Sequence, residues 1–321
     1  MTEKCYVGID TSNYTTSLAV ASEQGEILAN LKLPLPVKEG GRGLRQSEAV
    51  FSHVKNLPIL MPRLREAIGD RAVVAVGVSV RPRDAEASYM PCFLTGEAAA
   101  QSFAAAARVP VHCFSHQNGH LMAALYSSGA AEALKGRTFG AFHVSGGTTE
   151  MLLVKPNGTD FTVQLLGGSN DLHAGQAVDR IGVTMGLDFP CGPALEQLAK
   201  TNTAPVPRPR ISVRDGCCNL SGLENMAADL LKKSGDKALT AAFVLRFISD
   251  TLGKMAEGLR EQQGKLPILF SGGVMSNRII AAELTARLGD VYFAEPAFSA
   301  DNAAGIALLC RARAQEDRSD R

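Results

Sequence analysis

Two imidazoles four positions apart, His116 and His120, are the residues whose types and spacing most directly suggest chemistry. On a helix, side chains at i and i+4 leave one face about one turn apart, a spacing suited to chelating one divalent cation. Such a pair, taken alone, is more often solvent-facing or hydrogen-bonded within the protein. This one, however, follows an apolar run, Val109 to Phe114, where the loops of an α/β sheet carry their sites. Asp301, at the start of the last helical stretch, offers a carboxylate, and two His plus one carboxylate leave coordination positions open for water or substrate. The residues between the pair are Gln117, Asn118 and Gly119, so the Glu base of the HExxH metalloprotease motif is missing and peptide hydrolysis is disfavoured. His53, His112, His143 and His173 have no matching partner and read as structural or surface residues.

A second chemistry lies in two polar corners. Residues 5–31 read as strand, hydroxyl-rich turn (Asp10, Thr11, Ser12, Asn13, Tyr14, Thr15, Thr16), strand, Gly turn and strand. Residues 139–165 repeat the plan around Ser145-Gly146-Gly147-Thr148-Thr149. Corners of Gly, Ser and Thr turn backbone N–H groups and hydroxyls inward, and such concavities bind phosphate oxygens. Either alone is an ordinary hairpin; the duplication favours two phosphate corners facing one cleft.

The elements that must position these groups follow an α/β rhythm. Val73 to Val80 predicts a buried strand, Thr95 to Ala107 an Ala-rich helix, Val109 to Phe114 a strand, and His116 to Tyr126 a helix. Leu239 to Glu261 keeps apolar residues at helical spacing. Leu266 to Phe270 is a strand emptying into Ser271-Gly272-Gly273-Val274, with Asn277 opening the next helix, and Val291 to Ala294 leads to Asp301-Asn302 capping Ala303 to Ala312. Residues 53–67 form a helical stretch whose apolar surface is interrupted by Pro58 and Pro62. The Pro-rich stretch 205–209 and its continuation to Arg214 are expected as surface loop, and Gln315 to Arg321 as a frayed tail.

Bulk properties narrow the class. A chain of 321 residues with 45% hydrophobic content buries one large core or two medium ones. A formal net charge of +1 advertises neither nucleic acid nor an anionic membrane, so any RNA contact is local. The polar start lacks the apolar core of a secretory signal and no apolar run approaches the ~20 residues of a span, which predicts a cytoplasmic protein without a membrane partner. Seven cysteines without a CxxC pair read as reduced thiols.

Taken in order over nearly the whole chain, Gly8-Ile9-Asp10-Thr11-Ser12, His116 to His120, Val144-Ser145-Gly146-Gly147, Ala174 to Arg180, Gly186 to Pro193, Ser221-Gly222-Leu223, Gly272-Gly273-Val274 with Asn277-Arg278, and Asp301-Asn302 resemble the TsaD family of threonylcarbamoyl-adenosine tRNA synthases, formerly called glycoproteases. The resemblance implies a duplicated actin-like ATPase fold, two lobes with mixed sheets flanked by helices. The N-terminal lobe would span 1–115, completed by a C-terminal helix at 303–321, and the C-terminal lobe 116–302 with a helical insertion. It also implies one iron or zinc ion on His116, His120 and Asp301. An adenine nucleotide (ATP, ADP or threonylcarbamoyl-AMP, with or without magnesium) would sit on His143, Val144, Ser145, Gly146, Gly147, Asp179, Gly192, Gly272, Gly273 and Asn277. Asp10, Thr11, Ser12 and Asn13 would form the first phosphate loop. The implied reaction moves a threonylcarbamoyl group from its adenylate to the exocyclic amine of the adenosine beside a tRNA anticodon, in concert with partner subunits of a bacterial complex.

Departures from the family pattern bear on the reaction. Asn13-Tyr14-Thr15 replaces Cys-Asp-Glu, Thr148 a His, Leu172, Gln176 and Asn118 acids, and Glu224 a Lys. The family's Gly-Pro-Gly segment becomes Arg81-Pro82-Arg83 with Asp84 to Pro91 inserted, whose guanidinium groups either grip phosphate or solvate a loop. A diverged paralogue with an altered substrate is one expectation; a nucleotide- and metal-binding regulatory or scaffold paralogue without tRNA modification is the other.

Overall fold

The computed structural model describes residues 2–36, 44–85, 87–299 and 302–319. Its opening meander is β1 (Lys4–Thr11), β2 (Thr15–Ser22) and β3 (Ile27–Pro34), followed by α1 (Gln46–Ile68), β4 (Ala72–Arg81), α2 (Phe93–Ala107), β5 (Val111–Ser115) and α3 (His116–Ser127). A second meander, β6 (Phe139–Val144), β7 (Thr149–Asn157) and β8 (Asp160–Gly168), leads into α4 (Ala174–Thr184), α5 (Gly192–Lys200), the hairpin β9 (Ser212–Arg214) and β10 (Cys217–Asn219), and α6 (Ser221–Ser234). The chain closes with α7 (Lys237–Gln263), β11 (Ile268–Ser271), α8 (Arg278–Leu288), β12 (Val291–Phe293), α9 (Pro296–Ser299) and α10 (Ala304–Ser319). These elements fall into two compact units, residues 1–127 with 156–162 and 297–321, and residues 128–155 with 163–296.

The duplication legible in the sequence is a duplication of sheet order. The first sheet runs β3-β2-β1-β4-β5 and the second β8-β7-β6-β11-β12, so each places its third, second, first, fourth and fifth strands side by side. In each, the first two strands pair antiparallel and the later strands add in parallel, making two mixed sheets flanked by helices.

In the first unit, alternation along β1 sends side chains to opposite faces. Cys5, Val7 and Ile9 pack with Leu57, Leu60 and Leu64 of α1 and Ala100 and Ala104 of α2, while Tyr6 faces Ile306, Leu309 and Cys310 of α10. Both faces are covered, so β1 and β2 are buried beyond their first residues. Gly8 is where α10 crosses closest: a Cβ there would lie 2.5 Å from the Ala303 carbonyl oxygen.

The helical stretch expected over residues 53–67 lies within α1, which runs through Pro58 and Pro62; both prolines are exposed, as is Val54 one turn before the first. Two expectations about local structure are corrected. The residues from 315 to 319 are helical: Ala314 is buried, Arg311 Nε donates to Glu23 O at 2.7 Å, and Arg313 pairs with Asp160 at 2.9 Å, which holds α10 down to its end. The loop expected up to Arg214 ends instead in strand β9, with Ile211 and Val213 packed on the second unit's core.

In the second unit that core gathers α7, α4, α5 and α8 against β6, β7 and β11, with Phe142, Phe270 and Phe293 stacked across neighbouring strands at 5.0 and 5.1 Å. Helices α4 to α6 and the β9–β10 hairpin lie between β8 and α7. All seven cysteines are free thiols. Among the described residues no helix is long and apolar enough to cross a membrane.

Candidate functional site

The second polar corner, at the end of β6, is built as a tight loop. Ser145 N donates to Thr148 O at 2.7 Å and Gly147 N to Ser145 Oγ at 3.3 Å. The start of α4 is pressed against it: Gly175 N donates to Ser145 O at 3.1 Å, and a Cβ on Gly175 would lie 2.7 Å from both N and Cα of Gly146. Only glycine allows this approach, which brings the positive end of a helix beside a glycine turn, its first N–H groups held by Thr149 Oγ1 and Ser145 O. On the other side Gly272 takes φ 98° directly after β11, and a Cβ there would run into the Val144 carbonyl oxygen. That residue therefore needs glycine both for its backbone and for its contact with β6.

These parts border a cavity of about 410 Å³. Gly146 and Gly175 line one side, Gly192 and Pro193 at the start of α5 another, and Gly273 to Asn277, leading into α8, a third. Three helix starts thus meet one space, the arrangement that receives anionic oxygens. Val178, Leu245, Val274 and Ile280 give it apolar walls suited to a flat base.

Asp179 and Asn277 both line this cavity and both do structural work. Asp179 Oδ1 accepts from Cys191 N at 2.8 Å, fixing the start of α5 against α4. Asn277 Oδ1 accepts from Ile279 N and Ile280 N at 3.0 and 3.1 Å, capping α8, so its side chain can offer a ligand donors from Nδ2. Burial, then the carboxylates of Asp179 and Asp188, raise the Cys191 thiol, which keeps it protonated and unsuited to act as a nucleophile. His143 stands on β6 with Nδ1 3.3 Å from Ser271 Oγ on β11. Of the residues expected to hold nucleotide, the structure groups Gly146, Asp179, Gly192, Gly273 and Asn277 around the cavity, with Val144, Ser145 and Gly272 forming its scaffold.

The first polar corner, in the other unit, is drawn inward. Thr11 is fully buried, its hydroxyl donating to Cys92 O and accepting from Gly96 N, both at 3.0 Å. Asn13 Oδ1 accepts from Gln46 Nε2 at 2.7 Å. Helix α1 adds a relay through His53, which is 0% exposed. Its Nε2 meets the Ser12 carbonyl at 2.9 Å, so Nε2 carries the proton; Nδ1 then accepts from Thr16 Oγ1 at 2.8 Å, and Asn56 Nδ2 donates to Thr16 Oγ1 at 3.1 Å. Burial lowers the His53 pKa, consistent with a neutral ring. Thr11 and Asn13 thus direct their side chains into the protein, and Ser12 Oγ is buried without a hydrogen-bond partner among the described residues.

Asp10, at the end of β1, carries the corner's charge, and its Oδ1 lies 2.8 Å from His116 Nδ1. The rings of His116 and His120 meet edge to face with centroids 4.2 Å apart. This fits a cation in one respect: a carboxylate on Nδ1 fixes the imidazole so that Nε2 presents the lone pair, the support that metal-binding histidines ordinarily have. Among the described residues no third His, Cys, Asp or Glu joins the two, and Asp301 lies outside the described residues. Arg81, expected either to grip phosphate or to solvate the loop, donates from Nε and Nη2 to Asp84 Oδ1 at 2.8 and 2.5 Å, while the backbone N of Arg83 donates to Ser88 Oγ at 2.9 Å.

Sequence reasoning missed Leu245, Ser276 and Ile280 as lining residues and His53 as a corner clamp. Leu245 and Ile280 sit inside amphipathic helices where nothing local separates a cavity wall from core, and His53 makes contacts 37 and 41 residues away.

Comparison with known proteins bears on this arrangement. A family model described as TsaD, tRNA N6-adenosine threonylcarbamoyltransferase, matches residues 89–308. The solved activator of the 2-hydroxyisocaproyl-CoA dehydratase from Clostridium difficile, with bound ADPNP, aligns over 99% of this chain and 98% of its own at TM-score 0.52 and 13% identity. HypF from T.kodakarensis aligns over 98% of this chain and 48% of its own at TM-score 0.61 and 12% identity. A ROK family glucokinase from Streptomyces griseus, in complex with glucose and AMPPNP, aligns over 96% and 99% at TM-score 0.51 and 16% identity. At these identities the likeness is one of fold, that of the actin-like ATPases. Since the family model runs over well more than half of the sequence, the chain belongs to the TsaD family.

Proposed function

We propose that the protein binds an adenine nucleotide in the cavity of its second unit and transfers a threonylcarbamoyl group from threonylcarbamoyl-AMP to the exocyclic amine of the adenosine next to a tRNA anticodon. The observation that carries this reading is the meeting of the glycine corner at 145–147 with the starts of α4, α5 and α8 around one apolar-walled space. N–H groups of the glycine corner at Gly146 and of the start of α5 at Gly192, with the positive ends of α4 and α8, would hold the phosphate, Val178, Leu245 and Ile280 the base, and Asp179 the ribose hydroxyls. The nucleotides bound to the dehydratase activator and the glucokinase support the same use of the fold.

In the reaction the amine nitrogen forms a bond to the carbamoyl carbon, the bond from that carbon to the phosphate oxygen breaks, AMP leaves, and the amine gives up a proton. Donors preset around the phosphate stabilise the charge that gathers on the leaving group. His116, His120 and Asp301 would hold one divalent ion, iron or zinc, which when bound supplies Lewis acidity toward the carbonyl. Asp10 holds His116 in the tautomer this requires. The protein would work in the cytoplasm with partner subunits of a threonylcarbamoyl-adenosine complex.

A nucleotide-binding paralogue without transfer is favoured by one observation. Gln176 and Asn118, which replace acids of the family pattern, spend their side chains on the protein itself: exposed Gln176 on His173 N at 3.1 Å, and buried Asn118 on Asp84 at 2.8 Å. One experiment separates the two. The protein is supplied with threonylcarbamoyl-AMP and tRNA, with and without candidate partners, and the digested nucleosides are read by mass spectrometry. Modified adenosine, lost in His116→Ala, supports transfer; saturable nucleotide binding with no product under every combination overturns it.

A further inference from the structure

The connection from β4 to α2 carries a carboxylate that the nucleotide reading leaves unused. Asp84 is a four-way acceptor: Oδ1 takes both Arg81 contacts, while Oδ2 takes Ser115 Oγ at 2.9 Å and Asn118 Nδ2 at 2.8 Å. Two residues earlier the Pro82 carbonyl accepts from Gln117 N at 3.0 Å. Every one of these partners other than Arg81 belongs to the residue before α3 or to its first turn, and Ser115 Oγ in turn accepts from Asn118 N at 3.2 Å. A helix start leaves N–H groups without partners; here the loop's Pro82 carbonyl takes Gln117 N, and Ser115 Oγ, itself bonded to Asp84, takes Asn118 N.

Asn118 lies between His116 and His120 in sequence and is 1% exposed, so the hold of Asp84 on its amide is made inside the protein. The pair is therefore gripped from two sides. Asp10 fixes the ring of His116, and the loop fixes the backbone turn from which both rings project. The acid that the family pattern carries between the two histidines is Asn118 here, and Asp84 brings a carboxylate to within 2.8 Å of that same amide. The charge is supplied from a distant segment rather than lost.

We propose that Asp84 is a positioning residue for the His116–His120 pair: from the β4–α2 connection it orients the first turn of α3 so that the two imidazoles take one divalent cation. The proposal rests on the metal reading above. Groups bonded directly to a metal's ligands carry about 10–100-fold of its affinity; Asp84, which holds the turn rather than a ligand ring, is expected at the low end of that range.

The test uses the full chain and cobalt(II) alone as the probe, read by visible absorption and by competition against a chelator of known affinity. The wild type should bind one equivalent, and His116→Ala should abolish this. Asp84→Ala should weaken binding about tenfold, and Asp84→Ala combined with Asn118→Asp should recover most of the loss, because the second change returns a carboxylate to the same place. A merely structural loop contact gives no such recovery. Asp84→Asn, which keeps volume and an acceptor for Ser115 but removes the charge, should weaken binding several-fold and decides the matter if the alanine variant fails to fold. Wild-type affinity in Asp84→Asn, or no recovery in the double variant, overturns the proposal alone. A folded wild type that takes up no cobalt overturns the metal reading together with it.

Discussion

Replacing Gly175 by alanine tests the glycine corner most selectively. The new Cβ would lie 2.7 Å from N and Cα of Gly146 and 2.9 Å from the Ser145 carbonyl carbon, so α4 and the corner must part by about 0.7 Å to reach ordinary contact at 3.4 Å. The atoms met are backbone, which cannot rotate away. Overpacking of this kind costs about 1–3 kcal/mol, against about 1 kcal/mol regained from the helix propensity of alanine. The net cost is about 0–2 kcal/mol in stability, so the melting temperature should fall by a few degrees at most while the protein stays folded. The displacement itself falls on the phosphate corner, and if the strain is expressed there, nucleotide affinity drops about 5- to 150-fold at ~1.4 kcal/mol per tenfold. Titration calorimetry with ATP and ADP, alongside thermal unfolding, reads both quantities. Gly258→Ala, in α7 with nothing within 4 Å of its Cβ, is the control and should leave affinity unchanged. A Gly175→Ala protein that binds nucleotide like the wild type would refute the assignment of this corner to phosphate.

Asp179→Asn keeps an acceptor for Cys191 N and should preserve stability while weakening nucleotide binding, whereas Asp179→Ala should also lower stability by ~1 kcal/mol through the lost hydrogen bond; the two variants compared by calorimetry and thermal melts separate the roles. Burial lowers the pKa of both His53 and His112 below the ordinary value near 6.5. Their unfolded forms therefore bind protons first as pH falls, and the stability present above about 6.5 should decline beneath it, by up to ~1.4 kcal/mol per pH unit for each ring, in urea titrations across that range; His53→Gln should flatten the profile. Burial opposes ionisation of Asp171, but hydrogen bonds from the Ser221 hydroxyl and from Leu220, Leu172 and Ser221 N–H groups hold its carboxyl well below the usual range. The stability it gives should be present above about pH 4 and lost on further acidification, and Asp171→Ala should cost about 0.5–2 kcal/mol by uncapping α6 at neutral pH.

What could be read in the sequence was whatever short-range pattern determines. The strands β1, β2 and β4 announced themselves as unbroken apolar runs because both faces of their sheet are covered, and the repeated strand–corner–strand plan became the repeated sheet order. Glycines at 146, 175 and 272 were visible as a motif, but not which of them the backbone itself requires; only coordinates place Gly175 against Gly146. Residue type also misled. A hydroxyl-rich corner reads as a row of donors for a ligand, yet Thr11 spends its hydroxyl on Cys92 and Gly96, partners more than 80 residues away. Polar composition suggested a frayed C-terminal end, but Arg311 and Arg313 are tethers to Glu23 and Asp160.

The claim on which the rest depends is that an adenine nucleotide occupies the cavity between the glycine corner and the starts of α4, α5 and α8. Photolabelling with 8-azido-ATP, followed by peptide mapping, addresses it directly. Labelling that saturates, is competed by ATP, and falls on peptides spanning 178–196, 245 or 273–280 is the predicted result. Saturable labelling confined to peptides outside those segments, or none that ATP competes, would contradict it.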